Sequence, residues 1–273
     1  IPRLYCRGEY RHDVAELTQK GFYGQLGHAF ASGDLEAIHG TMTEIMPDVF
    51  VELTSKDQHD HGGFDALHSI VDLLTSCLKD RTALQSLATM EDGNLSLPIH
   101  GCRVAAYAAM FANYHGLSRD DTHPLCMAGL LADVGKVDIP ESIILAESRL
   151  EDGSDELARL QAHPVIGAGI LYAGGLDDMF TLAGVREHHE RQDGSGYPQG
   201  LTNFTARNGV KIGEVVAIGD CIDLLAPDAR PAYRPAVGID GALVTLDAEA
   251  GQGLFDPQVH GAIVQGINGK IEP

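Results

Sequence analysis

The chain has 273 residues and a mass of 29.1 kDa, enough for one large domain or two small ones around a buried core. Hydrophobic residues make up 44% and charged residues 21%, the balance of an ordinary globular protein. Nineteen Lys+Arg against 39 Asp+Glu leave a formal net charge of −20, which argues against polymeric nucleic acid and anionic membranes as partners, since both require basic surface.

In chain order, residues 1–83 read as a smaller N-terminal helical domain. Val14, Leu17, Phe22 and Leu26 form a helical stripe. Ser32-Gly33-Asp34 is a turn with an N-cap, opening a helix that carries Leu35, Ile38, Met42 and Ile45. Asp57 to Gly63 is a polar loop. A further helix is predicted from Phe64 to about Leu78, with Leu67, Ile70, Val71, Leu74 and Leu78 on one face. A domain break is expected near residues 80–90, with 84–273 as the second domain.

The second domain continues in helices. Val104 to Tyr114 has apolar residues at helical spacing, and Leu125 to Val134 is apolar and ends at Gly135. Asp155 to Leu171 is interrupted at His163-Pro164, where the proline suits a helix start. Met179 to His189 is helical and runs into a polar, glycine-rich loop, Asp193 to Pro198. Gly213 to Leu225 is amphipathic. No strong period-two pattern occurs, so the fold class expected is all-α, without internal repeats.

No apolar run approaches the roughly 20 residues that span a bilayer, and no basic-then-apolar segment opens the sequence, so no membrane insertion is expected. Cys6, Cys77, Cys102, Cys126 and Cys221 are odd in number and form no CxxC pair, which argues against a disulfide framework or a thiolate zinc site. A reducing, cytoplasmic setting fits best. The unusual feature is 13 histidines among 39 acids, the ligand types of zinc, iron and manganese.

Several polar residues stand in apolar helical surroundings, where an unpaired charge would be costly. Asp133 follows Leu130-Leu131-Ala132, with Lys136 three positions on. Asp220 and Asp223 are three apart, His188 and His189 adjacent, His163 precedes Pro164, and His100 opens the helix containing Val104. Each alone has an ordinary reading: a helix-terminal histidine, a cap partner, or a local Asp133–Lys136 ion pair worth tenths of a kcal/mol if exposed. Their joint order carries more weight than any one of them.

That order resembles the HD-GYP family, a branch of the HD phosphohydrolase superfamily. HGCRVAAYA from His100 is similar to its first-ligand helix. AGLLADVGKVDIP, Ala128 to Pro140, resembles its central segment, and His163 to Gly167 its HP-x-x-G. HHERQDGSGYPQGL, His188 to Leu201, matches its diagnostic loop almost completely. Val216 to Asp223 resembles its last acidic helix, Arg230 to Arg234 its RPYR, and Phe255-Asp256-Pro257 its C-terminal end. The resemblance covers about residues 84–265. It implies an HD-superfamily helical domain that hydrolyses cyclic di-GMP to linear pGpG or GMP, using two divalent ions, iron or manganese. It implies His100, Asp133 and Asp220 on one metal, and Asp133, His163, His188 and His189 on the other. Lys136 would stabilise charge at the scissile phosphate, Tyr197-Pro198 would fix the exit of the glycine turn beside the substrate, and Arg230 and Arg234 would hold the second phosphate. The N-terminal domain would regulate or dimerise, giving a homodimer.

The sequence departs from that pattern at Ala132, where the family carries the first histidine of its HD pair. A methyl group cannot replace an imidazole, so one metal site should lose affinity. Two explanations compete: a natural degenerate domain that binds the dinucleotide or a partner without turnover, or an engineered loss in a competent enzyme. Retention of the other ligands leans toward the competent site. Ser96 stands where some relatives have a third-metal Glu, so at most two ions are expected, and Ala232 interrupts the RPYR-like segment. His12-Asp13 and the His59-Asp60-His61 run read as incidental.

Overall fold

The computed structural model describes residues 62–76, 97–144, 146, 149–225 and 238–267, with scattered positions between 25 and 53. The stripe over Val14–Leu26, the residues around His12 and His59, the break at 80–90, Ser96, Arg230, Ala232 and Arg234 lie outside the described residues.

Helices dominate: α1 (Gly62–Ser76), α2 (Leu97–Tyr114), α3 (Arg119–Leu131), a 3-10 turn (Val134–Asp138), α4 (Glu141–Ile144), α5 (Asp155–Gln161), α6 (His163–Ala173), α7 (Met179–Glu187), α8 (Ile212–Leu225), α9 (Gly238–Gly251) and α10 (Pro257–Ile267). The all-α expectation holds apart from one small element. Ala206–Arg207 (β1) pairs antiparallel with Val210–Lys211 (β2) around Asn208 and Gly209, which have φ of 50° and 84°. That is the left-handed pair an Asn-Gly hairpin turn requires. Two residues per strand are too short to show alternation.

α2 is the central helix. Ile99 to Ala112 is buried on every side, so no amphipathic stripe exists, as expected of a helix enclosed by others. α1, α3, α8 and α10 pack around it. On α1, Leu67, Ile70, Val71 and Leu74 are fully buried, the face expected from their spacing, and they join the same apolar cluster as Val104, Leu130 and Ile218. The Asp34 cap is present: its carboxylate accepts from the Ala37 N–H at 3.0 Å, beside buried Ile38. α3 starts six residues earlier than its apolar run because the Ser118 hydroxyl caps the Asp121 N–H at 3.2 Å, with Asp120 and Asp121 in the first turn.

Candidate metal centre

Six ligand-type side chains arrive from five places. His100 sits in the first turn of α2, and Asp133 at the junction between α3 and the 3-10 turn. His163 opens α6, His188 and His189 follow the end of α7, and Asp220 lies on α8. The 3-10 turn approaches α6 because Gly135 has no side chain. A Cβ there would lie 2.1 Å from the His163 carbonyl oxygen and 2.6 Å from the Gly167 nitrogen. Gly135 therefore lets Asp133 and His163 meet.

Two donor groups share Asp133. The ligand atoms of His100, Asp133 and Asp220 lie within 4.8 Å of one another, as do those of Asp133, His163, His188 and His189. In the first group, His100 Nε2 is 3.0 Å from Asp220 Oδ1 and 3.5 Å from Asp133 Oδ2. In the second, His163 Nε2 is 3.2 Å and His188 Nε2 3.8 Å from Asp133 Oδ1. His189 Nδ1 stands 3.9 Å from Asp220 Oδ2, between the groups. Every one of these expected ligands is thus brought together.

The outer ring nitrogens are held in place. His163 Nδ1 faces the Leu160 carbonyl at 2.6 Å and His188 Nδ1 the Val185 carbonyl at 2.7 Å. An N–H donated there leaves both Nε2 lone pairs turned toward Asp133. His100 is oriented differently: its Nδ1 lies 2.7 Å from Asp223 Oδ2, and Asp223 in turn takes Arg103 Nη1 at 3.4 Å. Burial opposes charge on His100, but Asp220 and Asp223 overcome it and raise the imidazole to about 10. Burial likewise opposes charge on Asp133, yet Lys136, with Nζ at 2.5 Å, and the two histidines hold its carboxyl well below the usual range. His189 is driven well down by burial and by neighbouring His188, His163 and Lys136.

Asp133 and Asp220 are nearly inaccessible, and Asp133 Oδ1, both Asp220 oxygens and His100 Nε2 have no hydrogen-bond partner. Buried, unpartnered oxygens converging with imidazole nitrogens are costly unless a cation completes them. The residues fit a divalent metal with nitrogen and oxygen ligands.

A model of the HD domain matches residues 76–259. The chain belongs to the HD domain family. Among curated relatives, the cyclic di-GMP phosphodiesterase response regulator RpfG of Xanthomonas campestris pv. campestris is 36% identical over 194 residues, covering 69% of this chain and 48% of RpfG. The 3'3'-cGAMP-specific phosphodiesterase 3 of Vibrio cholerae is 32% identical, covering 62% and 35%. The HD-domain chain thus spans about half or less of the length of these relatives. Bd1817, a HDG"Y"P protein from Bdellovibrio bacteriovorus, shares its fold, with a TM-score of 0.55 at 17% identity over 94% of this chain and 73% of that one.

Next to the HD-domain metal centre, the glycine loop is pinned from beneath. Glu190, fully buried, accepts the N–H groups of Gln199 at 2.7 Å and Leu201 at 2.8 Å. Gly196 packs so tightly that a Cβ would come within 2.4 Å of the Arg191 nitrogen. The loop returns Tyr197 onto His189, rings stacked with centroids 4.6 Å apart, its N–H bonded to the His189 carbonyl at 3.0 Å. Sequence reasoning passed over Asp223 and Glu190 as partners. The signals were there: an acid one turn beyond Asp220, and an acid directly after the histidine pair. Ala132 ends α3, buried, and offers no donor atom to the three-ligand group.

Proposed function

We propose that this chain is the catalytic module of a metal-dependent phosphodiesterase that opens cyclic di-GMP to linear pGpG or GMP, with turnover impaired by Ala132. The observation that carries this reading is the pair of buried donor groups sharing Asp133. RpfG is named for cyclic di-GMP and the Vibrio cholerae relative for 3'3'-cGAMP, so a cyclic dinucleotide is the substrate class that best suits the chain.

His100, Asp133 and Asp220 would hold one ion, and Asp133, His163, His188 and His189 the other, with iron or manganese the proposed identity. Such ions, when bound, supply an activated water and offset the charge of the departing oxygen. Hydrolysis adds water across one P–O bond: phosphorus gains the hydroxyl oxygen, and the ribose oxygen leaves with a proton. Lys136, held by Asp133, would donate to a phosphate oxygen as its charge grows. Tyr197, stacked on His189, would bound the substrate. Arg230 and Arg234 are proposed for the second phosphate, where a planar fork suits paired bonds. The module is assigned to the cytoplasm, and residues 1–83 to a regulatory or dimerising role.

The test is the Ala132→His variant with Mn(II) or Fe(II). Hydrolysis of cyclic di-GMP should rise well above that of the parent chain. No hydrolysis by that variant, with metal shown bound, overturns the enzyme reading. The second reading, a cyclic di-GMP receptor without catalysis, is favoured by Ala132 alone. Calorimetry showing micromolar binding without turnover, in both the parent and Ala132→His, would establish it.

A further inference from the structure

A second pair of histidines lies outside the centre just described, at the contact between α1 and α3. His68, exposed on α1, directs Nδ1 at His123 Nε2 on α3, 3.2 Å away, with ring centroids 5.0 Å apart. One turn along each helix, Asp72 takes Arg119 Nη2 at 2.6 Å. The two helices are therefore joined by two rungs, one of opposite charges and one of facing imidazoles.

Two imidazole nitrogens at this separation share either a proton or a cation. Nitrogens at adjacent corners of a tetrahedron around zinc, with Zn–N near 2.0–2.1 Å, lie about 3.3–3.4 Å apart. The observed distance is within about 0.2 Å of that edge. The charged groups that act on His123 are Asp72 and Asp178 on the negative side and Arg119 and His68 on the positive side. Asp72 and Asp178 would favour a cation at this position and Arg119 would oppose it. The site is open enough for water to complete the coordination, since His68 is exposed and His123 half-buried.

We propose that His68 and His123 form a separate metal site, a two-histidine clip for a zinc-type divalent cation that fastens α1 to α3. Its consequence follows from where the helices lead. α1 belongs to the segment upstream of residue 84, and α3 ends at Ala132-Asp133. A cation here ties the N-terminal segment to the helix that delivers the shared ligand of the candidate centre. The site does not depend on the phosphodiesterase reading, because none of its residues belongs to that centre.

The experiment uses zinc alone as probe and the full chain carrying His163→Ala, which removes a ligand of the candidate centre. In that background, His68→Ala and His123→Gln are compared with the unaltered pair. His68 is exposed and the glutamine retains most of the bulk at 123, so both variants should fold, as circular dichroism would verify. The expected result is one fewer bound zinc equivalent in each variant by elemental analysis after dialysis, and loss of the rise in thermal midpoint that zinc produces. Copper(II) bound to the same proteins should show electron paramagnetic resonance splitting from two nitrogens at this site, reduced in each variant. Equal zinc content and an equal thermal response in all three proteins would overturn the proposal and leave a shared proton as the contact.

Discussion

The two halves of the candidate metal centre meet at Asp133 and are otherwise built on opposite principles. The half with His163, His188 and His189 has four donors, and two of its imidazoles are aimed by main-chain carbonyls. Burial lowers His163 and His189, and the neutral imidazole is the form that coordinates metal. The half with His100 has three donors, two of them carboxylates, and its imidazole is backed by a third carboxylate, Asp223. Those acids make His100 basic. The half with fewer donors is therefore also the half whose imidazole is the more basic. The comparison teaches that the two sites should fill unequally, with the four-donor half first.

The most damaging change to that picture is at the shared residue. Asp133→Asn keeps the shape but removes the charge that both halves use, and Lys136 loses its partner. Metal affinity should fall more than about a hundredfold in both halves, beyond what loss of an orienting partner costs. Elemental analysis should find no bound metal. Retention of either ion would mean that the halves do not depend on Asp133 equally.

Next in size is a pair of changes meant to separate the halves. His163→Ala should empty the four-donor half, whereas Asp220→Asn should leave it loaded. In the parent chain with Mn(II), bound equivalents should drop to near zero in the first variant and stay near the parent value in the second. Equal losses would show that the ions bind as a unit and that the inequality argued here is wrong.

A smaller effect is expected from the orienting carboxylate. In the Ala132→His background, Asp223→Asn should weaken the second ion by roughly 10–100-fold, the usual cost of losing such a partner, and leave the first unaffected. A titration resolving two affinities checks this, and an unchanged weaker constant would remove Asp223 from the account.

How much of this was legible in the sequence differs between fold and site. The helices were visible because apolar spacing is a local property: Leu67, Ile70, Val71 and Leu74 announce α1 without help from the rest of the chain. The start of α2 at Leu97 lies three residues before His100, which the sequence puts at the opening of that helix, whereas α3 starts six residues upstream of its apolar run, at the Ser118 cap. The six candidate ligands were legible through the family resemblance and not through spacing, since His100 and Asp220 lie on different helices. Asp223 stands out beside Asp220, but its partners and those of Glu190 do not, because both acids accept hydrogen bonds and sequence does not display an acceptor's partner. His100 is 123 residues from Asp223. The hairpin escaped for a different reason: Asn208-Gly209 is a strong turn signal, but the flanking strands are too short to support it.

That hairpin supplies the smallest test and the one that sharpens the comparison most finely. β2 runs straight into α8, which carries Asp220, while Arg207 and Asn208 are held by Asp121 on α3 at 2.9 and 2.8 Å. Gly209, at φ of 84°, would be strained by any side chain, at about 1–2 kcal/mol for a left-handed residue. Gly209→Ala should therefore lower the thermal midpoint by a few degrees, at about 2–4 °C per kcal/mol for a domain of this size. The metal content should be unchanged, because Asp220 is also positioned by the burial of α8 against α2, α3 and α7. Scanning calorimetry and elemental analysis on the same sample would check both. A loss of metal confined to the weaker half would instead mean that the hairpin sets the pitch of α8, and that the three-donor half is limited by backbone placement.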